Sequence, residues 1–370
     1  MQELAEKIIN NMTIEEKVGQ LFFITPETLA KRKVPKNRHL RYLLNKIFPR
    51  INSINKKQIK TLKKYHVGGL ILFQRHFVTR DKLVNYLNDL QANSKFPLFF
   101  ACDEEGGYVR RLSRVRALEF PNVPHMSEIG ETGDINKAYE IGEMLGQEMT
   151  KLGFNVNFAP VADIYTRSSS CDNKNLSNHR YFGDNPKLVS EMVSAIVEGM
   201  QKNNLSATLK HFPGHGDTVG DSHLGVSASN IDLETLRSRE LLPFKAGIDA
   251  GADFVMAGHQ SLPNILNNNM PCCMSKFIIT DILRKELKYD RIIICDSLNM
   301  NAILDYYNIK DVLVSCINAG VDMIMMPPNL KKAYKAIKKQ VQNGGIPMEV
   351  LDNAVRRIIN IKIKQGLITE

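Results

Sequence analysis

The segment of residues 210–223 holds the densest group of side chains that can carry protons or bind metal ions. Its sequence, KHFPGHGDTVGDSH, contains a lysine, three histidines and two aspartates. The glycines between them allow backbone conformations with positive φ, which predicts a loop and not a helix. The segment follows the apolar run 206–209, and a polar, glycine-rich loop after a buried strand is a usual location for catalytic groups in α/β enzymes.

Asp296 ends another apolar run, in the sequence IIICDSLNM. A carboxylate held at a strand end can act as a nucleophile or stabilise a cationic transition state. Glycoside cleavage needs such a carboxylate and an acid at the leaving oxygen. Asp221 and His223 are two residues apart, so in an extended segment their side chains point the same way and can hydrogen-bond. An imidazole oriented by that aspartate suits proton transfer near neutral pH.

The same loop permits two other interpretations. Zinc or another divalent ion can be bound by side chains of the types present, namely His211, His215, Asp217 and His223. Their spacing matches no standard histidine and cysteine pattern, which disfavours the metal interpretation. Phosphate binding by the glycines and Lys210 is disfavoured because the G-x4-G-K-S/T order is absent.

The elements that position these residues are predicted by eight short apolar runs with helix-period segments between most of them. Runs that are apolar throughout are typical of parallel strands covered on both faces. The runs are residues 21–24, 69–73, 97–101, 156–161, 206–210, 253–257, 292–295 and 323–326. The helical segments are residues 3–19 (one helix or two), 134–152, 187–203, 232–250, 275–288, 308–319, 330–343 and 348–365. This alternation predicts a single-domain α/β fold, the (β/α)8 TIM barrel, over residues 1–370. An open doubly wound sheet is the alternative, but no GxGxxG follows the early strands.

In such a barrel the strand C-termini meet on one face, so the residues just past them are candidate site residues. Most of these strand-end residues are charged or histidine: Asp103-Glu104-Glu105, Asp163, Lys210-His211, His259 and Asp296. A single aspartate at a strand end often only caps the next helix. A set of this size favours a functional site over helix capping.

Composition limits the function classes. The chain has 43% hydrophobic and 24% charged residues, which is typical of a globular protein with a full core. Six cysteines without repeated spacing favour a reducing compartment over a disulfide framework. The N-terminus lacks a signal pattern, and no apolar run approaches the length of a membrane span. We therefore expect a cytoplasmic location, with a secreted or cell-wall-associated one if a signal peptide was removed.

The net charge is +10, and much of the excess lies in a basic insertion at about residues 30–64. Nucleic-acid binding is one interpretation of this stretch. Aromatic residues are not interleaved there as a base-stacking surface requires, so a solvated lysine-rich surface is favoured.

The loop and the strand ends together resemble the bacterial β-N-acetylglucosaminidase (β-hexosaminidase) branch of glycoside hydrolase family 3, whose members recycle or trim cell wall. The KH…DSH loop is the most specific part of this resemblance. Further segments are similar in the same order: MTIEEKVGQLF, VGGLILF, CDEEGGYVRRL, NVNFAPVADI, RYFGDNP, FVMAGH, IIICDSLNM and AGVDMIMMP.

The resemblance implies a (β/α)8 barrel that performs retaining hydrolysis through a covalent glycosyl-enzyme. It implies that Asp296 is the nucleophile, with His223 as the acid/base and Asp221 as its partner. The substrate-binding residues implied are Asp103, Arg111, Arg180, Lys210 and His211. His215 and Asp217 would brace the loop, which would swing over bound substrate.

We therefore expect an exo-β-N-acetylglucosaminidase that removes terminal β-linked GlcNAc from peptidoglycan-derived muropeptides. The expected partner is a small carbohydrate, with no cofactor, metal, nucleic acid or membrane, and the expected state is a monomer. Two alternatives stay open at this point: a metal-dependent hydrolase using the histidine-rich loop, and a family 3 enzyme that acts by phosphorolysis.

Overall fold

A computed structural model describes residues 2–30, 53–166, 179–218 and 227–369. Eight strands lie within these ranges, and each overlaps one of the predicted apolar runs. They are β1 (Phe22–Ile24), β2 (Gly69–Ile71), β3 (Phe99–Cys102), β4 (Val156–Asn157), β5 (Ser206–Phe212), β6 (Phe254–Ala257), β7 (Ile292–Cys295) and β8 (Ile324–Met325).

All of the strand pairs are parallel, and the strands follow one another around a ring in chain order. β1 pairs with β2 on one side and with β8 on the other. An isolated parallel bridge between Ile294 and Met323 joins β7 to the segment that leads into β8. The predicted (β/α)8 barrel is confirmed, and the carboxyl ends of the strands meet on one face.

The barrel interior is a packed core. Phe23 contacts Phe158 with ring centroids 5.4 Å apart, and Phe99 contacts Phe254 at 5.3 Å. Phe23 lies in β1 and Phe158 directly after β4, while Phe99 lies in β3 and Phe254 in β6. Neither pair comes from neighbouring strands, so the contacts cross the barrel interior. Every residue in the eight strands is buried, as expected for strands covered by helices outside and side chains inside.

Helices lie between the strands, close to the predicted segments. The first predicted helix is two, α1 and α2, separated at Thr13, which forms the capping box with Glu16. The helices are α1 (Gln2–Asn10), α2 (Ile14–Gln20), α3 (Pro26–Leu29), α4 (Lys56–Tyr65), α5 (Arg80–Ala92), α6 (Met126–Glu131), α7 (Ile135–Lys151), α8 (Pro186–Gln201), α9 (Leu241–Asp249), α10 (Pro263–Leu266), α11 (Asn301–Leu304), α12 (Ile309–Ala319), α13 (Leu330–Gln342) and α14 (Met348–Lys364). Short helical turns occur at Gln74–His76, Arg116–Leu118, Leu233–Thr235 and Cys272–Met274, and π-helical segments at Leu236–Glu240 and Phe277–Glu286.

The basic insertion is described only in part. Its C-terminal part forms α4, which is capped by Asn55 and ends at His66 in a left-handed conformation. Residues 31–52 lie outside the described residues. In the part of the chain that the structure describes, no helix combines the length and the apolar character needed to cross a membrane.

Candidate active site

Lys210 is the centre of a charged cluster at the carboxyl end of the barrel. Its Nζ lies 2.6 Å from Glu105 Oε1 and 3.0 Å from Asp103 Oδ1. Arg180 donates two hydrogen bonds to the Glu105 carboxylate, each 2.8 Å long. A guanidinium nitrogen of Arg111 lies 3.6 Å from Asp103 Oδ2. The fold thus brings together four of the five residues predicted to bind substrate.

Glu105 and Lys210, the buried centre of the cluster, are both ionised. Burial alone would raise the pKa of Glu105, but the charges of Arg180 and Lys210 hold this pKa far below its usual range. Burial would likewise lower the pKa of Lys210, and the carboxylates of Glu105 and Asp103 raise it instead. Asp103 keeps 16% of its side chain exposed. A fixed and partly exposed carboxylate can accept hydrogen bonds from sugar hydroxyls.

The loop after β3 is held by Glu104, which is fully buried. Its carboxylate accepts backbone N–H bonds from Arg111 (2.6 Å) and Leu112 (2.7 Å), and Ser113 donates its hydroxyl to it at 2.7 Å. Its own backbone N–H donates to Asn157 in β4. Glu104 is therefore a loop brace, and it fixes the backbone from which Arg111 reaches Asp103.

His211 is held by Asp163, the residue predicted at the end of the fourth strand. Its Nδ1 lies 2.8 Å from Asp163 Oδ2, and its backbone N–H donates to Oδ1. His215 donates its backbone N–H to the same Oδ1. Burial would raise the pKa of Asp163, but His211 lowers it. His211 thus has a fixed orientation, one residue beyond Lys210.

His215 and Asp217 lie in the loop that follows β5, as predicted, and their contacts are with that loop's surroundings. His215 is buried, which lowers its pKa to about 4, and its Nδ1 contacts the Thr218 hydroxyl at 3.0 Å. Asp217 accepts a hydrogen bond from Thr166 at 2.9 Å and lies 3.4 Å from Arg239. The first of these three contacts lies within the loop and the other two join it to residues around it, as a bracing role would require.

Glu240 lies beneath this loop and was not identified from the sequence. It ends the π-helical segment Leu236–Glu240, and π-bulges occur frequently at functional sites. Its Oε1 accepts from Arg239 Nε at 2.6 Å, whereas Oε2 has no hydrogen-bond partner among the described residues. A Cβ on Gly214 would lie 2.6 Å from Oε2, so the loop backbone packs directly on this carboxyl. Burial raises the pKa of Glu240 to about 7.

Asp296 follows β7 at the same face of the barrel. Its backbone N–H donates to the Ala257 carbonyl at the end of β6, and Ser297 N–H donates to its Oδ1 at 2.6 Å. Its negative charge acts on two buried histidines, His215 and His259. Backbone on both sides of Asp296 is therefore fixed, and its half-buried carboxylate lies near the loop that follows Lys210.

Asp221 and His223, the predicted acid/base pair, lie outside the described residues, as does the end of the predicted mobile loop. The described part of that loop ends at Thr218. Within the described ranges, no three or more His, Cys, Asp or Glu side chains are grouped so that they could hold a metal ion. His211, His215 and Asp217 each bond to a neighbouring protein group there.

Three features of the site lay beyond the sequence analysis. Glu105 was noted only as part of the acidic segment after the third strand, and its adjacency to Asp103 was the available signal. Glu240 had no signal, because an acidic residue in a helix pattern is usually solvated. The cysteines, treated as scattered, include Cys273, whose sulfur lies 3.3 Å from His259 Nδ1.

Comparison with known proteins identifies relatives over most of the chain. Residues 13–361 match the model of the glycosyl hydrolase family 3 N terminal domain. "Beta-hexosaminidase A" of Pseudoalteromonas piscicida is 32% identical over 329 residues, which cover 82% of this chain and 54% of that protein. A "Beta-hexosaminidase" of Xylella fastidiosa is 29% identical over 299 residues, covering 79% of this chain and 86% of that protein.

A solved structure extends the likeness to three dimensions. The family 3 β-N-acetylglucosaminidase of a Paenibacillus strain superposes with a TM-score of 0.82 at 30% identity, covering 97% of this chain and 64% of that one. The chain thus spans about half the length of the Pseudoalteromonas protein and about two thirds of the Paenibacillus one.

Proposed function

This chain belongs to glycosyl hydrolase family 3, and from that membership we propose that it is a retaining exo-β-N-acetylglucosaminidase. The observation that carries the proposal is the preorganised cluster of Asp103, Glu105, Arg180 and Lys210 at the barrel mouth, on the same face as Asp296. Ionised groups that are fixed before substrate arrives need little reorganisation during the reaction.

In the first step of the proposed reaction, the Asp296 carboxylate attacks the anomeric carbon while the glycosidic C–O bond breaks. His223 gives its proton to the leaving oxygen. In the second step His223 takes a proton from water, the water oxygen attacks the anomeric carbon, and the bond to Asp296 breaks. Both groups are then regenerated. Asp221 keeps the imidazole in the orientation that both steps require.

The remaining predicted residues would bind the sugar. Asp103 would accept hydrogen bonds from ring hydroxyls, while Lys210, Arg111 and Arg180 would donate to oxygens of the ring substituents. His211, held by Asp163 at 2.8 Å, would present its other ring nitrogen in one orientation. These residues would bind the terminal sugar and leave the aglycone outside, which suits removal of a single end unit.

The proposed substrate is a terminal β-linked GlcNAc on a peptidoglycan-derived muropeptide, which would place the enzyme in cell-wall recycling. The names of the relatives, β-hexosaminidase and β-N-acetylglucosaminidase, support the sugar class. The muropeptide part of the proposal rests on the resemblance of the KH…DSH loop to the bacterial branch of the family.

The proposal is tested with 4-nitrophenyl β-N-acetylglucosaminide and the matching β-glucoside. We expect kcat/KM for the acetylated sugar to be higher by on the order of 10²-fold or more, because a site that bonds the acetamido group rejects an analogue lacking it. The activity should be unchanged in EDTA. In phosphate buffer the released sugar should be GlcNAc.

Two results would contradict the proposed function. Release of GlcNAc-1-phosphate would show that the enzyme acts by phosphorolysis and not by hydrolysis. Activity that is lost in EDTA and restored by zinc would indicate a metal-dependent hydrolase. As a control for the mechanism, a 5-fluoro glycosyl substrate should label Asp296 in the wild type and leave Asp296→Asn unlabelled. A label on another residue would remove Asp296 from the nucleophile role.

A further inference from the structure

His259 is a strand-end residue that the proposed mechanism leaves without a role. It follows β6, next to the end of β7, and only 1% of it is exposed. Both ring nitrogens have partners. Nε2 lies 3.1 Å from the Ser297 carbonyl oxygen, and Nδ1 lies 3.3 Å from Cys273 Sγ. Ser297 directly follows Asp296, so His259 contacts the backbone that carries the proposed nucleophile.

The chemistry of these partners determines where the imidazole protons are. A carbonyl oxygen only accepts hydrogen bonds, so Nε2 must carry a proton. Nδ1 then has two possible states. It accepts from a neutral Cys273 thiol, or it donates to a Cys273 thiolate and the imidazole is positively charged.

The surroundings of Cys273 favour the thiolate. Cys316, a buried thiol on α12, is the strongest influence on the Cys273 sulfur, ahead of burial. Cys316 and the positive charge of His259 together outweigh burial and lower the pKa of Cys273 to about 6. Asp296 also acts on both members of the pair, and the charge of Cys273 in turn raises the pKa of its neighbours Cys272, Cys295 and Tyr307.

The pKa of His259 is shifted in the opposite direction from that of Cys273, upward. Burial alone would lower its pKa, but the Cys273 sulfur and the negative charge of Asp296 raise it to about 9. An imidazolium that donates Nδ1–H to the Cys273 thiolate and Nε2–H to the Ser297 carbonyl satisfies every polar atom of the pair. The ion pair has no net charge, so its effect on Asp296 comes from the position of the imidazolium, whose Nε2–H contacts the backbone of the next residue.

We propose that His259 is a positioning residue for Asp296, an imidazolium held by the Cys273 thiolate that anchors the Ser297 carbonyl and keeps positive charge beside the nucleophile. This inference rests on the proposed function, because it assigns His259 a task through Asp296. The positive charge keeps Asp296 ionised in acidic solution. It also stabilises the negative charge that returns to Asp296 when the glycosyl-enzyme is hydrolysed.

The test combines two variants with a matched control. Cys273→Ser replaces the sulfur by a hydroxyl that does not ionise, and His259→Gln keeps a side-chain N–H donor without the charge. Cys272→Ser alters the neighbouring buried thiol in the same turn and serves as the control. For each protein, kcat/KM is measured against pH, and the imidazole signal of His259, assigned from His259→Gln, is titrated by NMR.

In the wild type the imidazole should stay protonated until about pH 9. In Cys273→Ser and His259→Gln the acid limb of the kcat/KM profile should move to a pH about one unit higher. At the acidic pH values of that limb, kcat/KM should then be lower than in the wild type by about ten-fold. The plateau should change little. Cys272→Ser should match the wild type. A purely structural role would lower kcat/KM equally at every pH.

Two results would overturn the inference: an imidazole that is neutral at pH 7, or an acid limb that stays in place in Cys273→Ser. If that variant does not fold, the wild-type titration and His259→Gln still decide. The wild type is also treated with the 5-fluoro sugar. Failure to label Asp296 would refute the proposed function, whereas a labelled Asp296 with an unmoved limb would refute only the role of His259.

Discussion

Glu240, which lies beneath the loop that follows β5, has a carboxyl that keeps its proton at a higher pH than its residue type or its position in a helix would predict. It is buried under the backbone of Gly214, and only one of its oxygens has a hydrogen-bond partner among the described residues. Arg239 on one side is balanced by Asp163 and Asp217, whose negative charges oppose ionisation of Glu240. The carboxyl therefore keeps its proton up to about pH 7.

We predict that this proton makes stability depend on pH. An unfolded glutamate loses its proton near pH 4.5, whereas the folded one keeps it until about pH 7, so the unfolded state binds fewer protons in between. The contribution of Glu240 to stability is full below about pH 4.5 and is lost as the pH rises through 7. Glu240→Gln cannot ionise and removes this loss, which is on the order of 2 kcal/mol.

Thermal unfolding at pH 5 and pH 8 checks the Glu240 prediction. The Tm of Glu240→Gln minus the Tm of the wild type should be larger at pH 8 than at pH 5. Glu234→Gln, an exposed substitution near the start of the same helical region, is the control and should show no such change. If the difference in Tm is the same at both pH values, Glu240 is ionised throughout and the argument is wrong.

At the scale of elements, α7 and α8 pack closely against each other; α7 precedes β4, and α8 precedes β5, the strand that carries Lys210. The two helices touch backbone to backbone at a pair of glycines. A Cβ on Gly199 would lie 2.4 Å from the Tyr139 carbonyl oxygen, and one on Gly142 would lie 2.5 Å from the Ile196 carbonyl oxygen. Backbone atoms within packed helices cannot move aside as a flexible side chain can.

We therefore predict that Gly199→Ala destabilises the protein by about 2 kcal/mol or more. Alanine is the better helix former by about 1 kcal/mol, so a net loss would come from the clash between helices. Chemical denaturation measures the free energy of unfolding. Glu198→Ala, an exposed change on the adjacent residue of α8, should stay within about 0.5 kcal/mol of the wild type. An equally stable Gly199→Ala would mean that the helices separate at little cost.

At the scale of the whole molecule, the C-terminal helix α14 packs against α1 and α2 near the start of the chain and against the amino end of the barrel. Lys362 of this helix is completely buried, with its Nζ 2.6 Å from Gln20 Oε1 and 5.0 Å from the centre of the Phe99 ring. No carboxylate among the described residues pairs with it, so burial lowers the pKa of Lys362 to about 7.

Lys362→Met should change the pH dependence of stability on the alkaline side. An unfolded lysine keeps its proton to about pH 10.5, whereas the folded one releases it near pH 7, so stability rises with pH between these values. The burial cost is constant below pH 7. The variant lacks this rise. The free energy of unfolding of Lys362→Met should therefore exceed that of the wild type by most at pH 7 and by least near pH 10.

Unfolding curves at several pH values from 6 to 10 measure this difference, with Lys335→Met on the exposed face of α13 as the control. Parallel pH dependences in Lys362→Met and the wild type would show that Lys362 is charged in the folded protein.

The sequence by itself determined the barrel and most of the candidate site. Apolar runs of strand length, separated by helix-period segments, can bury both faces only as parallel strands under helices, and this physical requirement also places their carboxyl ends on one face. Asp103, Lys210, His211 and Asp296 could therefore be assigned to that face from their positions just after the runs or, for Lys210, at the end of one. Arg111 and Arg180, which come later in their loops, were assigned through the resemblance.

Only the tertiary structure decided which charges meet and what state they take. Glu105 pairs with Arg180 and Lys210, residues 75 and 105 positions further along the chain, and nothing in the local pattern ranks it above Glu104. Glu240 and Cys273 are ordinary residues of a helix and a turn in the sequence. Their ionisation depends on burial and on neighbours from other strands and helices, which are properties of the folded chain and not of the local sequence.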